Sequence, residues 1–301
     1  LFNMQELNLQ DILSKTTDLK EKKVGYIAII GRPNVWKSTF INSLLWEKVS
    51  ITSNIPQTTR KRVLAIFNDT QSQIIFFDTP GIHKNEKEFN GKINQEAIKS
   101  MREADGVLYF IDSSRPYGDE EKQIEEILEF IHTPIIKVYT KLDLPSKIEI
   151  PLDENIVKIS SLEKIGFEHL LLKVKELLPV WHPFYPDDYY TDQDIYFRIS
   201  EIVREKVFLH TSEEVPHSMY VEIEEIEEED ALLKIQAYVY TETDSQKYII
   251  VWKAGSLITK IGTEARIELE NIFGKKVFLS LRVKTMEKWR KNDKIIKKIL
   301  S

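Results

Sequence analysis

The sequence predicts an α/β domain with a doubly wound, mostly parallel sheet, followed by a small α+β domain. Three observations carry this. Between residues 23 and 178, short apolar, β-branched runs alternate with amphipathic segments, the pattern of parallel βαβ units. From residue 195 the order changes to α-β-β-α-α-β, too few strands for a second sheet of that kind. Between the two lies PVWHPFYPDDYYTDQD (179–194), which has three prolines and no periodicity and reads as a linker. The expected organisation is therefore an N-terminal extension (1–22), a first domain (23–178), the linker (179–194) and a second domain (195–301).

Each element follows from its local pattern. Residues 1–22 are polar, with room for one short helix. VGYIAII (24–30) is a buried-strand run ending at Gly31, and STFINSLL (38–45) has helical spacing. KRVLAIF (61–67) and SQIIFFD (72–78) read as a strand pair. NQEAIKSMREA (94–104) is an amphipathic helix, GVLYFID (106–112) a buried strand and EEKQIEEILEFI (120–131) a helix. TPIIKVYTKLD (133–143) and VKIS (157–160) are strands with polar ends, and FEHLLLKVKELL (167–178) is a helix. Beyond the linker, 195–209 is helical, MYVEIEEI and LLKIQAYVY alternate as strands, and 248–274 reads as two helices across a tight turn. KKVFLSLRVK is the last strand.

Composition narrows the chemistry. Of 301 residues 42% are hydrophobic and 30% charged, ordinary for a globular protein. The absence of cysteine excludes a disulfide scaffold, a thiolate zinc site and a cysteine nucleophile. No apolar run reaches the ~18 residues of a membrane span, and the N-terminal residues lack the apolar core of a secretory signal, so the expected location is cytoplasmic. The net charge of −6 hides a strong asymmetry. Residues 191–246 hold 4 Lys/Arg against 15 Asp/Glu, whereas 247–301 hold 14 against 5. The acidic run at 222–230 reads as a solvated hairpin, and the basic C-terminal stretch as a surface for a polyanion.

Site chemistry concentrates at predicted strand ends, where ligands of doubly wound sheets sit. Gly31-Arg32-Pro33-Asn34-Val35-Trp36-Lys37-Ser38 matches a phosphate loop, G-x-x-x-x-G-K-[ST], in all but Trp36. Its backbone amides would cradle phosphates, Lys37 would reach the outer ones, and the Ser38 hydroxyl would ligate Mg²⁺. Thr59, in Pro56-Gln57-Thr58-Thr59-Arg60, could close over the metal. In Asp78-Thr79-Pro80-Gly81 the carboxylate can hold Mg²⁺ through water and the glycine amide can meet a γ-phosphate. In Thr140-Lys141-Leu142-Asp143, Asp143 can accept two hydrogen bonds from a guanine edge while the Lys141 stem packs on the base. Ser160 and Ser161 can bring backbone amides to the guanine carbonyl. Each motif alone is a common turn or cap; five of them in this order are not. In the basic stretch, Trp252-Lys253-Ala254-Gly255 between two helices stands where a KH module has its G-x-x-G clamp, with Lys260 one turn beyond.

With these motifs, the segments EKVSITS, IIFFDTPGIH, FYPDD, SEIVREKVFLHTSEEVPHS and KIGTEARIELE make the chain similar to the Era family of ribosome-associated GTPases across roughly residues 23–292. The resemblance implies a Ras-like P-loop GTPase domain followed by a type II KH domain, GTP/GDP and Mg²⁺ as ligands, and GTP hydrolysis. It also implies binding near the 3′ end of small-subunit ribosomal RNA, a role in 30S subunit assembly, and loose contact with the inner face of the membrane. A monomer is expected. Lys37, Asn34, Gly81 and Ile82 are the residues expected at the reacting phosphate; Ser38, Thr59 and Asp78 are those at the metal. Ile82 stands where Ras-type enzymes have a glutamine that orients water, so another group must do so. By family analogy, Asn34 helps to hold a K⁺ ion. His83 follows, and a lone histidine after a turn reads as exposed and idle.

Departures from the family pattern are specific. Trp36, Trp46, Trp181 and Trp252 stand where the family has glycine, and only Trp289 reads as a native tryptophan. Thr140 replaces the family's asparagine. Glycine, at 10 of 301, is scarce, since average usage of about 7% would give roughly twice as many. Two readings account for the tryptophans. They are real substitutions, which would leave a nucleotide-free RNA-binding adaptor. Alternatively, they are glycines encoded by UGA, a codon that some bacteria read as glycine and that another translation table renders as tryptophan.

Overall fold

The computed structural model describes residues 21–53, 55, 59–82 and 88–300. Its residues fall into two compact units, one made of those described within 21–52 and 59–192, the other of 193–300 together with Ser53 and Ile55.

The first unit is built on β1 (Lys22–Ile30), whose apolar run ends where Gly31 turns the chain. It is followed by α1 (Lys37–Leu45), β2 (Val63–Asn68), β3 (Ser72–Asp78), α2 (Glu88–Glu103), β4 (Gly106–Asp112) and α3 (Asp119–Leu128). Then come β5 (Ile135–Thr140), β6 (Ile156–Lys158), α4 (Phe167–Leu177) and β7 (Val180–Trp181). The strand order is β2-β3-β1-β4-β5-β6, with β7 antiparallel to the start of β1. β1, β3, β4, β5 and β6 are parallel and β2 is antiparallel. Every residue of β3 and β4 is buried, as expected of parallel strands covered on both faces. Phe40 of α1 makes edge contacts with Phe76, Phe110 and Phe167, which fixes the helix that follows the phosphate loop against the sheet.

The segment read from sequence as a linker lies against the first unit. The side chain of Gln73, fully buried on β3, accepts from the amides of Phe184 and Tyr185 and donates to the Tyr185 carbonyl. Asn68 donates to the carbonyls of Asp187 and Tyr189. The Ile66 amide donates to Tyr190 O, and Thr191 Oγ1 to Leu64 O, along the outer edge of β2. Prolines erased the periodicity, but the backbone found side-chain partners that no local pattern encodes.

The second unit contains α5 (Ile195–His210), β8 (Met219–Glu228), β9 (Leu232–Thr241), α6 (Asp244–Phe273), β10 (Lys276–Thr285) and α7 (Asp293–Leu300). Asp194 caps α5 by accepting from the Phe197 amide at 2.8 Å. The sheet order is β10-β9-β8, with β8 and β9 antiparallel and β9 and β10 parallel. Ile199, Val203 and Val207 of α5 and Ile250, Ile261, Ala265 and Leu269 of α6 close the core with Ile235 and Val239. Trp289 is fully buried and donates its indole N–H to Ser218 O at 2.9 Å. That is the role a native core tryptophan plays.

Candidate nucleotide-binding site

The loop between β1 and α1 is held from below. Gly31 has φ +156°, and a Cβ there would lie 2.6 Å from Phe110 O, so only glycine fits. Arg32 turns inward to Asp112 and Glu121, Pro33 and Asn34 form the crest, and Val35 is buried. Asn34 has φ +62°, a left-handed conformation that asparagine tolerates better than most residues. Lys37 Nζ donates to the carbonyls of Gly31 at 3.2 Å and Arg32 at 3.1 Å, folded back over its own loop.

The loop after β3 meets this one. A Cβ on Gly81 would lie 2.7 Å from Pro33 N, and the Ile82 amide donates to Gly31 O at 3.2 Å. Thr79 Oγ1 donates to Ile29 O at 2.6 Å, which locks the start of the turn with Pro80 next in it. Ser38 Oγ donates to Asp78 Oδ2 at 2.7 Å and lies 3.2 Å from Thr59 Oγ1. Asp78 Oδ1 is buried without a hydrogen-bond partner among the described residues. Two hydroxyls beside one carboxylate with an orphaned oxygen fit a hard divalent cation such as Mg²⁺. That ion is usually held by one or two carboxylates together with substrate phosphates. Ile82 is buried in the core, so its side chain offers nothing to a water. Pro56, Gln57, Thr58, His83 and residues 1–20 lie outside the described residues.

Charge in this pocket depends on pH. Burial lowers the Lys37 ammonium to about 8, against the pull of Asp78. Burial also pushes the Asp78 carboxyl up, against the hydrogen bond from Ser38. The unfolded lysine holds its proton to higher pH than the folded one, so stability of the empty protein rises with pH across that window. Binding runs the other way, because phosphate needs the ammonium. Affinity for a magnesium-bound nucleoside diphosphate is expected to fall as pH rises through about 8, and to fall again in acid, at a pH above that of an ordinary carboxylate. Calorimetric titration from about pH 5 to about pH 9.5 checks this, and a flat profile above about pH 7.5 would contradict it.

The base side is built at the ends of β5 and β6. Thr140 Oγ1 donates to Val35 O and Ile111 O at 3.3 Å each, tying this loop to the phosphate loop. The threonine thus performs the loop-joining part of the expected amide's role. Lys141 has φ +63° and reaches Asp112 Oδ2 at 2.8 Å. The Leu142 amide donates to Ile159 O, and Ser160 Oγ donates to Asp143 Oδ1 at 2.6 Å. Ser160 and Ser161 are both buried. The residues singled out from sequence on these loops, as far as they are described, come together. Asp112, which joins the two loops, and Glu121, which pairs with Arg32, are not singled out by the sequence; their signal is the polar end of a buried strand and the third residue of a helix.

Three of the four unexpected tryptophans occupy left-handed backbone. Trp36 has φ +66° and ψ +34° at the start of α1, and Trp46 has φ +58° and ψ +17° at its end. Trp252 has φ +22°, followed by Lys253 at +36°, Ala254 at +59° and Gly255 at +89°. These four residues divide α6 into two helices, as the sequence predicts, and leave Trp252, Lys253, Ala254 and Lys260 exposed. The centre of the Trp36 ring lies 4.9 Å from Lys141 Nζ. Trp181, by contrast, is in an extended strand and its position does not require glycine.

Comparison with known proteins agrees with both units. Residues 26–141 match the 50S ribosome-binding GTPase family and residues 214–290 the KH domain family. The chain is 43% identical to the GTPase Era of Treponema denticola, over 91% of this chain and 98% of that one. It is 42% identical to the GTPase Era of Thermotoga maritima, over 91% and 95%. Among solved structures, Era in complex with MgGDPNP and nucleotides 1506–1542 of 16S ribosomal RNA aligns with a TM-score of 0.86. The identity is 36%, over 92% of this chain and 98% of that one. A point variant of Aquifex aeolicus Era bound to GDP·AlF4⁻ aligns with a TM-score of 0.84 and 36% identity, over 91% and 98%.

Proposed function

Because this chain belongs to the Era family of GTPases, we propose that it binds and hydrolyses GTP and grips small-subunit ribosomal RNA near its 3′ end to assist 30S assembly. The observation that carries the reading is the convergence of the loops after β1, β3, β5 and β6 on one cup, where Ser38, Thr59 and Asp78 stand together. The protein's work in phosphoryl transfer is positioning and charge neutralisation. Lys37 would leave the carbonyls of Gly31 and Arg32 for the outer phosphate oxygens. Ser38, Thr59 and Asp78 would hold Mg²⁺, which supplies positive charge at those oxygens when bound. The Gly81 amide would meet the γ-phosphate, and Asp143, set by Ser160, would accept from the guanine edge over the Lys141 stem. With Ile82 buried, orientation of the attacking water falls to another group, and Asn34 would help to hold a K⁺ ion at the developing charge.

The RNA reading rests on the turn at 252–255 and the basic residues that follow it. Lys253 and Lys260 would neutralise phosphates, so affinity falls with salt. Cytoplasmic location, peripheral contact with the inner membrane face and a monomeric state complete the proposal. Among the described residues, no helix is long and apolar enough to cross a membrane.

Phosphate release from GTP by the full chain with glycine at 36 tests the reading. A slow rate is expected, rising about tenfold or more when K⁺ replaces Na⁺. Equal rates in the two salts would remove the ion, and no turnover in either would remove the enzyme. With Trp36 retained, the indole beside Lys141 favours a second reading, an RNA-binding adaptor that takes up no nucleotide.

A further inference from the structure

We propose that Asp112 is a positioning residue for guanine recognition, acting through Lys141 and linking the base loop to the phosphate loop. The inference rests on the nucleotide reading above. Asp112 ends β4, which lies between β1 and β5, so its carboxylate stands between the two loops that those strands feed. Its Oδ2 receives Lys141 Nζ at 2.8 Å and Arg32 Nη2 at 3.3 Å. Its Oδ1 is fixed by the Ser114 amide at 3.0 Å and the Ser114 hydroxyl at 2.6 Å. Arg32 also places Nε 3.0 Å from Glu121 Oε1, while Glu121 Oε2 accepts from the Gly118 amide at the start of α3. Two cations and two carboxylates thus form a neutral quartet, with no side chain more than 11% exposed.

Burial on this scale is a poor device for stability. Taking four charges out of water costs about as much as their attraction returns, and apolar packing would serve as well. Its effect is geometric. Lys141 is fixed at both ends, by a left-handed backbone at φ +63° and by Asp112 at the ammonium. The methylene stem between them becomes a rigid ledge for a planar base. The same carboxylate steadies Arg32, whose carbonyl is an acceptor for resting Lys37 at 3.1 Å. Burial pushes the Asp112 carboxyl up, but hydrogen bonds from Lys141 and Ser114 outweigh it and hold the group below the usual range. The ledge therefore stays anchored across neutral pH.

The test is a double-mutant cycle on the full chain with glycine at 36, read as affinity for Mg·GDP. Asp112→Asn keeps the shape but leaves a buried ammonium without its counter-charge, and should weaken GDP about tenfold or more. In a Lys141→Met background the same change should cost less than about twofold, because the residue it acts through is gone. Glu121→Gln, which touches Arg32 and not Lys141, should cost the same factor in both backgrounds. Should Asp112→Asn not fold, Ser114→Ala, which frees Oδ1 without removing charge, carries the same cycle. A parent that takes up no GDP overturns the nucleotide reading and this inference with it. A parent that binds, with Asp112→Asn costing an equal factor in both backgrounds, overturns this inference alone.

Discussion

Changing Trp36 to glycine is expected to tighten Mg·GDP binding at least about 100-fold, read by calorimetry on the full chain, a difference of about 3 kcal/mol. Two effects add. A side chain on left-handed backbone costs about 1–2 kcal/mol, which glycine does not incur. Trp36 adopts φ +66° at the start of the helix whose N-terminus would face the phosphates. The larger effect is occupancy. The indole lies 4.9 Å from Lys141 Nζ, and on the proposed nucleotide reading it would occupy space at a loop whose backbone must approach a ligand closely. The variant should also melt at higher temperature without nucleotide, because the backbone strain is relieved in the empty state. Unchanged affinity would show that the loop accepts an indole and that the occupancy argument is wrong.

Changing Trp252 to glycine should raise affinity for a short single-stranded RNA about tenfold or more, and should lift the melting of the second unit by roughly 5 °C or more. Four consecutive residues with positive φ, starting at Trp252 with +22°, are a severe demand on a chain with one glycine among them. Strain of this kind costs about 1–3 kcal/mol per residue. The exposed indole, with Lys253 Nζ 5.8 Å from its ring, contributes little burial in return. On the proposed RNA reading it also stands where a backbone clamp would grip the strand, and its ring would hold a phosphate off. Filter binding against salt, with melting curves of the same variants, separates the two effects. A gain in stability without a gain in RNA affinity would detach this turn from RNA binding.

Both predictions bear on the origin of the tryptophans. Trp36, Trp46 and Trp252 share left-handed backbone, while Trp289 is buried and hydrogen-bonded. Independent substitutions have no reason to select the turns that need a bare backbone. Glycine codons rendered as tryptophan would do so at once. UGG at codons 36, 46 and 252 would rule that out.

The fold was legible because its strands are short β-branched runs and its helices are amphipathic, two periods that rarely confuse one another. The loops of the site were legible for a related reason: phosphate and metal chemistry demand fixed residue types at fixed offsets, as at Lys37, Ser38 and Asp78. Two things were not legible. Asp112 and Glu121 act at distances of 80 and 89 residues from Arg32, and long-range ion pairs leave no local signature. The docking of 183–192 depends on Gln73 and Asn68, ordinary polar residues until the strands bring them beside a chain short of donors.

That docked segment determines how the protein can be dissected. A fragment cut after α4, where the helical text ends, would strip Gln73 of its backbone partners at Phe184 and Tyr185. It would also bare the outer margin of β2 as a template for pairing with other molecules. Such a fragment would be expected to clump on expression, whereas one that retains residues through Asp192 keeps its own cover. For the stretch that follows α4, the scissor line therefore falls at Gln193.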